Sequence, residues 1–275
     1  MAGIKRLHLV YFSPSGSTEK VVRRIASAVQ GLPVETHNLL TSASRKKQYT
    51  FGADDLVIMG SMTAGKLFTL SDELFSCLHG NNTPFIGAVT FGNGYYGIAL
   101  NEMLSRAQAL GFIVAALGAF VCRHSMDTSI AEGRPDAKDE ALMLDFGSKA
   151  WEKVQKGDYE LHSKPGTNWS SWEIGNQVIA YRAEHPDEPY ALPASCKTKE
   201  ISDACIKCGT CVRNCPVNAI DIEAKTFDIE KCIGCWGCIN RCPKHAITST
   251  SEQVAEIMRS FGEASAARLE PDIFL

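Results

Sequence analysis

Eight of the eleven cysteines lie in one short stretch of the sequence, between residues 205 and 242. They form two copies of the pattern C-x2-C-x2-C-x3-C-P, which read CIKCGTCVRNCP and CIGCWGCINRCP. This spacing lets three thiolates bind one iron–sulfur cubane, while the fourth cysteine of each copy ligates the other cluster. The repeat therefore predicts two [4Fe–4S] clusters, the first bound by Cys205, Cys208, Cys211 and Cys242 and the second by Cys232, Cys235, Cys238 and Cys215.

Two other uses of cysteine fit this pattern less well. A disulfide framework is typical of secreted chains, and the N-terminal LHLVYF is too short for the apolar core of a signal peptide. Zinc motifs usually pair two ligands with two rather than repeating a set of four. Cys77 and Cys122 are predicted to be small core residues, and the repeat leaves no ligand position for Cys196.

The composition is that of an ordinary globular protein, with 45% hydrophobic and 21% charged residues in 275. A net charge of −3 gives no indication of a nucleic-acid or membrane partner. The longest apolar run, FIVAALGAFVC, is about half the length that a membrane-spanning helix needs. We therefore expect a cytoplasmic protein.

Five apolar runs alternate with helical patterns between residue 5 and about residue 156. The runs are RLHLVYF, LPVETHNL, DLVIMGS, PFIGAVTF and FIVAALGAFV. Strands that alternate with helices predict a parallel sheet covered on both faces. For about 150 residues, the expected α/β fold is a five-stranded doubly wound sheet with strand order 2-1-3-4-5.

The remaining sequence divides into three parts. Residues 157–199 are rich in Pro, Gly and Ser but contain Trp169, Trp172, Tyr181 and Tyr190, which predicts a connector packed on the surface. Residues 200–250 hold the cysteine repeat and are expected to form a small α+β domain. In residues 251–275, EQVAEIMRSF has an apolar helical face, which predicts a short docked helix followed by a tail.

Ligands of a doubly wound sheet bind beyond the carboxyl ends of its strands. Loop 1, residues 13–18, reads SPSGST and leads from the first strand into a helix. Its hydroxyls and helix N-terminal amides predict a site for a single phosphate at Ser13, Ser15, Gly16, Ser17 and Thr18. It lacks the Gly-Lys-Ser/Thr ending of a nucleotide P-loop. The alternative is that these hydroxyls only cap the helix.

Loop 3, residues 91–97, reads FGNGYYG and has the spacing of a dinucleotide-binding fingerprint. That fingerprint normally follows the first strand, whereas this loop follows the fourth. The acidic residue expected about 20 positions later is also missing, since residues 112–121 contain no Asp or Glu. The sequence therefore argues against a nicotinamide cofactor. Loop 2, residues 61–68, reads SMTAGKLF and follows the third strand.

With these loops the first half of the chain resembles flavodoxins. Together with the cysteine repeat, nearly the whole chain resembles the fused flavodoxin–ferredoxin proteins, also called ferrodoxins, of anaerobic microbes. The matching stretches are YFSPSGSTEK, DDLVIMGSMTAGKL, FGNGYYGIAL, the pair His124-Ser125, and IAEGRPDAKD. The resemblance implies a flavodoxin-like domain over residues 1–156 and a bacterial-type ferredoxin domain.

The resemblance also implies that FMN is the ligand of the three loops. Loop 1 would bind its phosphate, and loops 2 and 3 would hold its isoalloxazine ring. The implied ring-binding residues are Ser61, Met62, Thr63, Ala64, Gly65, Phe91, Gly92, Asn93, Gly94 and Tyr96. Tyr96 is the candidate for stacking on the ring, with Met62 or Phe68 on the opposite face, unless Tyr96 is an ordinary packing residue.

Several positions depart from the pattern of that family. Pro14 and Ser17 differ in loop 1, Met62-Thr63-Ala64 replaces an apolar-aromatic stretch, and Gly94 and Gly97 replace larger residues. The replacements in loops 2 and 3 predict a more open ring pocket.

Arg123, His124 and Arg134 follow the fifth strand. They would either reach the flavin or a substrate, or hold their own loop together.

FMN exchanges one or two electrons, whereas each cluster passes one at a time. The sequence thus favours an electron-transfer protein that couples one-electron and two-electron chemistry. Its partner would be a redox protein that acts as a low-potential donor or acceptor. The alternative is an FMN-dependent reductase of a small molecule such as a quinone, nitro compound or enone. A third possibility, a structural iron–sulfur protein without flavin, would require all three loops to be coincidental.

Overall fold

The computed structural model describes residues 3–159, 161–188 and 192–275. Its strands are β1 (Arg6–Tyr11), β2 (Val34–Asn38), β3 (Tyr49–Phe51), β4 (Asp55–Met62), β5 (Leu78–Gly80), β6 (Thr83–Phe91), β7 (Phe112–Val121), β8 (Lys199–Ile201), β9 (Ile220–Asp221), β10 (Thr226–Phe227), β11 (Ile247–Ser249) and β12 (Asp272–Phe274). Its helices are α1 (Ser17–Ala26), α2 (Ser42–Arg45), α3 (Ser71–Ser76), α4 (Ala99–Ala109), α5 (Ala137–Lys156), α6 (Glu173–Glu184), α7 (Thr210–Arg213), α8 (Gly237–Asn240) and α9 (Glu252–Ala264). Within those residues, none of the helices has both the length and the apolar character that a membrane crossing requires.

The central sheet contains six strands in the order β2-β1-β4-β6-β7-β12. The first five are parallel and correspond to the five apolar runs, so their order is the 2-1-3-4-5 arrangement predicted from the sequence. The sixth, β12, pairs antiparallel with β7. The prediction of a purely parallel, five-stranded sheet was therefore wrong at this edge, because a three-residue strand has too few positions to show a period.

The sheet is covered by helices on both faces, as strands with continuous apolar runs require. All nine residues of β6 are buried, and so are nine of the ten residues of β7. Leu7 and Leu9 point to the α1 and α5 side, whereas Val10 and Met59 point to the α4 side. This layered core holds the carboxyl ends of the strands, and with them loops 1 to 3, at one edge of the sheet.

The segment between the sheet and the cysteine repeat contains one long helix, α6, and lies against the rest of the chain. Trp172 is buried, and its indole Nε1 donates a hydrogen bond to Ser260 Oγ at 3.0 Å. Trp169 and Tyr181 remain about half exposed, and Tyr190 lies outside the described residues. Of the three described aromatic side chains, Trp172 is the one that packs, and Ile179 of α6 is fully buried in the same segment.

The apolar face predicted near the C-terminus is present in α9. Ser251 caps the helix by accepting a hydrogen bond from Val254 N, and Val254, Met258 and Phe261 are buried. These side chains pack with Ile130 of the sheet domain and with Trp172. After α9 the chain returns to the sheet as β12.

Candidate functional site

The eight cysteines of the repeat line two separate cavities. One cavity is lined by Cys205, Cys208, Cys211 and Cys242. The other is lined by Cys215, Cys232, Cys235 and Cys238. Each set combines three cysteines from one copy of the repeat with the fourth from the other copy. The fold therefore brings the cysteines together in the crosswise grouping that the spacing predicts.

The spacing of the sulfur atoms indicates what these cavities fit. Zinc bound tetrahedrally at about 2.3 Å would hold its sulfur ligands about 3.8 Å apart. Among the described residues, which include all eight cysteines, no three cysteine sulfurs lie within 4.8 Å of one another. The sulfur positions of neither set therefore indicate a tetrahedral zinc site.

Backbone amides point at several of these sulfurs. Ala219 N lies 3.2 Å from Cys215 Sγ, and Ala246 N lies 3.3 Å from Cys242 Sγ. Such hydrogen bonds stabilise negative charge on sulfur. Burial raises the pKa of both Cys235 and Cys238 to about 12, so these thiols need a bound cation to become thiolates.

Trp236 closes one side of the second cavity. Its side chain is buried, and its Nε1 donates a hydrogen bond to Cys196 O at 3.0 Å. Lys199 Nζ lies 5.7 Å from the centroid of the same ring and 3.8 Å from Cys232 Sγ. Trp236 thus forms a buried part of the wall of this cavity, while Lys199 places a positive charge beside a cysteine.

Loop 1 forms the N-terminus of the ten-residue helix α1. Gly16 has φ 96°, a left-handed conformation that favours glycine. Ser13 Oγ accepts a hydrogen bond from Glu19 N, and Thr18 Oγ1 shares one with Thr90 Oγ1. Within the described part of the chain, the half-buried Ser15 and Ser17 hydroxyls form no hydrogen bond. Capping therefore accounts for Ser13 only, and Ser15 and Ser17 remain available to an anion.

Arg241 of the cysteine repeat lies against loop 1. Its Nη2 donates a hydrogen bond to Ser13 O at 2.9 Å, and its Nε donates one to Pro14 O. A Cβ on Gly16 would lie 3.6 Å from the same Nη2 atom. The guanidinium thus adds positive charge beside the predicted phosphate site. Arg241 could not be identified from the sequence, because only the fold brings position 241 to position 14.

Loop 2 is fixed by contacts on both sides. Gly65 O accepts a hydrogen bond from Ile98 N at 2.9 Å, and a side chain on Gly97 would overlap the Gly65 carbonyl. Ser61 and Phe68 are buried, whereas Met62, Thr63 and Ala64 are half-buried at the sheet edge. Of the two residues suggested to stack opposite Tyr96, Met62 therefore stays accessible, and Phe68 belongs to the core.

The glycines of loop 3 make room for protein side chains. A Cβ on Gly92 would overlap the His124 ring, and a Cβ on Gly94 would overlap the Phe261 ring of α9. Asn93 Nδ2 donates hydrogen bonds to Ser265 O at 2.7 Å and to Ala267 O at 2.9 Å. The expectation of a more open pocket on this side was wrong, because α9 and the segment after it fill the space.

Tyr96 does not have the stacking position expected for it. Its side chain is 2% exposed, and its ring packs edge-on against Phe91 at 5.4 Å between centroids. Its hydroxyl donates a hydrogen bond to Asp272 Oδ2 of β12 at 2.8 Å. Burial, with this carboxylate, raises the pKa of Tyr96. Tyr96 is therefore a core residue that fastens β12, which is the packing alternative.

We expect Tyr96→Phe to lower the free energy of unfolding of the β12 region by about 1–3 kcal/mol, because it removes a hydrogen bond to a charged group. FMN affinity should stay within about twofold of the wild type. Hydrogen exchange of β12 and titration with FMN would measure the two effects. Loss of FMN affinity with unchanged exchange would restore the stacking role.

The residues after β7 have mainly structural roles. His124 Nδ1 accepts a hydrogen bond from Met126 N at 3.2 Å, and burial lowers the pKa of His124 to about 4. Arg134 Nε donates to Asp139 Oδ2 at 2.8 Å, with both side chains buried. Arg123 is exposed, and its Nη2 lies 3.4 Å from Asn240 Oδ1 of α8. His124 and Arg134 therefore hold their loop, as the structural alternative predicts.

The second cysteine cavity lies next to the loop edge of the sheet. Ile233 and Cys235 pack against the same apolar core as Met62 of loop 2. Asn240 Nδ2 donates a hydrogen bond to Ser125 O at 2.9 Å, and Arg45 Nη2 donates one to Pro216 O at 2.8 Å. Together with Arg241, these contacts fix the cysteine repeat on the edge where loops 1 to 3 meet.

The family model of the 4Fe-4S dicluster domain matches residues 197–246. No curated protein sequence matches the chain significantly. Among solved structures, the flavodoxin-like domain of a Synechococcus protein is 12% identical, covering 55% of this chain and 99% of that one, with a TM-score of 0.36. An oxidoreductase from Corynebacterium diphtheriae is 14% identical, with coverages of 57% and 99% and a TM-score of 0.39. A putative flavoprotein from Bacteroides uniformis is 12% identical, with coverages of 47% and 96% and a TM-score of 0.31.

These TM-scores are low, so the assignment of the first half depends on its own topology. Five parallel strands in the order 2-1-3-4-5, with helices on both faces, form the flavodoxin-like arrangement. The dicluster model covers both copies of the cysteine repeat. The chain is a fusion of a flavodoxin-like α/β domain with a C-terminal 4Fe-4S ferredoxin domain.

Proposed function

We propose that the protein transfers electrons between two [4Fe–4S] clusters and an FMN bound by loops 1 to 3. The observation that carries this proposal is the position of the cysteine repeat against loop 1, where Arg241 donates hydrogen bonds to Ser13 O and Pro14 O. Gly237, which precedes Cys238 of the second set, lies so close to loop 1 that an added Cβ would be 2.9 Å from Pro14 O. A ferredoxin domain fixed on the flavin-binding edge provides a short route between the two kinds of cofactor. FMN would supply two-electron chemistry, and the clusters one-electron chemistry.

The residues around this edge suggest how the chain would hold the cofactors. Ser15, Gly16 and Ser17 offer hydroxyls and amides to the FMN phosphate, and Arg241 adds positive charge. The half-buried Met62, Thr63 and Ala64 would contact the ring. On the cluster side, the buried Trp236 would keep water from the second cluster, which affects its potential.

The protein partner would approach the first cysteine set. Cys208 is exposed, and the neighbouring Ile206 is 59% exposed, whereas Trp236 and Ala219, which line the second cavity, are buried. An exposed apolar residue beside an accessible cluster ligand suits a small, transient contact between redox proteins. We therefore place the docking site of a low-potential donor or acceptor around Ile206.

A second candidate is the reduction of a small molecule such as a quinone, nitro compound or enone. The observation that favours it is a cavity of about 380 Å³ between residues 129–136 and the end of α9, within the size range of small-ligand sites. It is lined by Asn93, Arg134, Ser265 and Arg268, among others. Both arginines form ion pairs with Asp139, which leaves little free positive charge for a substrate.

The decisive experiment is cofactor analysis of protein purified without oxygen. We expect about eight irons and one FMN per chain, and an uptake of about four electrons in a reductive titration, one per cluster and two for FMN. Eight irons with no flavin, even after FMN is added, would overturn the flavin part. Saturable oxidation of the reduced protein by one small molecule would favour the reductase over the carrier.

Arg241→Ala should weaken FMN binding roughly 10- to 150-fold, because hydrogen bonds to charged groups contribute about 1.5–3 kcal/mol. The affinity for riboflavin, which lacks the phosphate, should fall much less. Both affinities can be measured by quenching of flavin fluorescence with cluster-loaded, flavin-free protein. The matched control is Arg213→Ala, since Arg213 lies two residues before the fourth cysteine of its copy and donates its hydrogen bond to Cys208 O instead. Equal losses for FMN and riboflavin would contradict a phosphate role.

A further inference from the structure

A cluster of metal-binding side chains lies on β1 and β2, outside loops 1 to 3 and the cysteine repeat. His8, Glu35 and His37 each offer one potential ligand atom, and these three atoms all lie within 4.8 Å of one another. Within the described residues it is the one group of three or more His, Cys, Asp or Glu side chains with this property. We infer that His8, Glu35 and His37 form a site for a divalent transition-metal ion, with zinc as its best match.

The strand register explains why these side chains meet. β1 and β2 are parallel, with His8 opposite Glu35 and Val10 opposite His37. Side chains two positions apart on a strand share a face, so Glu35 and His37 lie on the face of the sheet that His8 occupies. The sequence VETH therefore places a carboxylate and an imidazole beside a second imidazole. No loop has to close to bring them together.

The distances match the needs of a small ion. His8 Nδ1 lies 3.0 Å from His37 Nε2 and 3.6 Å from Glu35 Oε2, and His37 Nε2 lies 3.9 Å from Glu35 Oε1. Ligand atoms bound tetrahedrally to zinc at about 2.0–2.1 Å are about 3.3 Å apart. Two imidazoles and one carboxylate are also a ligand set that zinc uses with a fourth, open position. Magnesium and calcium prefer oxygen ligands, so the two nitrogens favour a transition metal.

Asp55 provides the outer partner that metal-binding histidines usually have. His8 Nε2 is buried without a hydrogen bond, 3.4 Å from Asp55 Oδ1. When His8 binds a metal through Nδ1, Nε2 carries the hydrogen and faces this carboxylate. Asp55 is itself held by Gly52 N at 2.8 Å and Arg6 Nε at 2.9 Å. With the proposed ion on Nδ1, the buried His8 Nε2 therefore becomes a hydrogen-bond donor that faces Asp55.

Aromatic side chains hold both imidazoles in place. Phe51 packs edge-on against His8, with 5.0 Å between centroids, and Tyr49 packs edge-on against His37 at 4.9 Å. The side chain of His8 is 6% exposed and that of His37 is 10% exposed, whereas Glu35 is 59% exposed. The ion would thus enter from the solvent side past Glu35 and would fasten the exposed strand β2 to β1.

The test uses the full chain with its clusters loaded, dialysed against buffered free zinc and analysed for zinc and iron. We expect one zinc per wild-type chain with no loss of iron. His37→Gln and Glu35→Gln should each weaken zinc binding by more than about 100-fold, which exceeds the 10- to 100-fold cost of losing an outer partner. The matched control is His162→Gln, because His162 is an exposed histidine 3.1 Å from a carboxylate, Asp158.

Three results would overturn the site. The first is no zinc uptake by the wild type, which would leave a simple hydrogen-bonded pair of histidines. The second is uptake that His37→Gln does not reduce. The third is zinc that appears only as iron is lost, because zinc then replaces iron at the cysteines. Since Glu35 is exposed, Glu35→Gln keeps the test valid even if His37→Gln disturbs the sheet.

Discussion

Replacing Cys235 with serine is expected to lower the iron content from about eight to about four atoms per chain. Cys235 lines the second cavity together with Cys232, Cys238 and Cys215, so one cluster should be lost while the other remains. Because this cavity also packs against the sheet, FMN bound by the same chain should become harder to reduce through the ferredoxin domain. Iron analysis and the spectra of the reduced protein would measure the change.

The crosswise grouping gives this experiment its control. Cys215→Ser should leave the same remaining cluster as Cys235→Ser, although Cys215 belongs to the other copy of the repeat. Cys242→Ser should leave the opposite cluster, and Cys196→Ala should retain all eight irons, since Cys196 lines neither cavity. A Cys215→Ser spectrum that matched the one from Cys242→Ser would show that the cysteines are grouped differently.

Phe261→Ala is expected to reduce the local stability of α9 by about 3–5 kcal/mol, the usual cost of removing a buried aromatic ring. The Phe261 ring is 5% exposed and contacts the rings of His124, Tyr95 and Trp172 at 5.2–6.2 Å between centroids. It also fills the space beside Gly94. The variant should therefore loosen α9 and uncover loop 3 together.

Hydrogen exchange suits this prediction, because it reports on each region separately and a chain with two domains is not expected to unfold in one step. Amides of α9 should exchange about 100-fold or more faster in Phe261→Ala, while those of β6 should not change. Arg259→Ala is the control, since Arg259 lies on the exposed face of the same helix. Unchanged exchange in α9 would mean that other contacts hold the helix.

Features that depend on neighbouring residues could be predicted from the sequence. The cysteine grouping follows from two-residue spacers within each copy, and the cavities contain the predicted sets. The five parallel strands follow from apolar runs long enough to show burial on both faces. The order of those strands follows from the fold class, because few connections satisfy the handedness rule.

Features that depend on distant residues could not be predicted. Gly94 suggested an open pocket, but Phe261, far away in the sequence, occupies the space. Tyr96 suggested a stacking surface, but Asp272 accepts a hydrogen bond from its hydroxyl. Arg241 is a charged residue inside the repeat, and nothing local indicates that it contacts Pro14. Glycine and tyrosine in a loop fit a ligand and a packed protein segment equally well.

The antiparallel strand β12 has a consequence for self-association. β7 is a ten-residue strand without a single charge, and β6 covers only one of its edges. An uncovered apolar edge of this kind is a template on which other chains can add strands. β12 pairs with Leu117, Gly118 and Ala119 in the middle of that edge and blocks the template. Because α9 leads into β12, docking of this helix also protects the protein against aggregation.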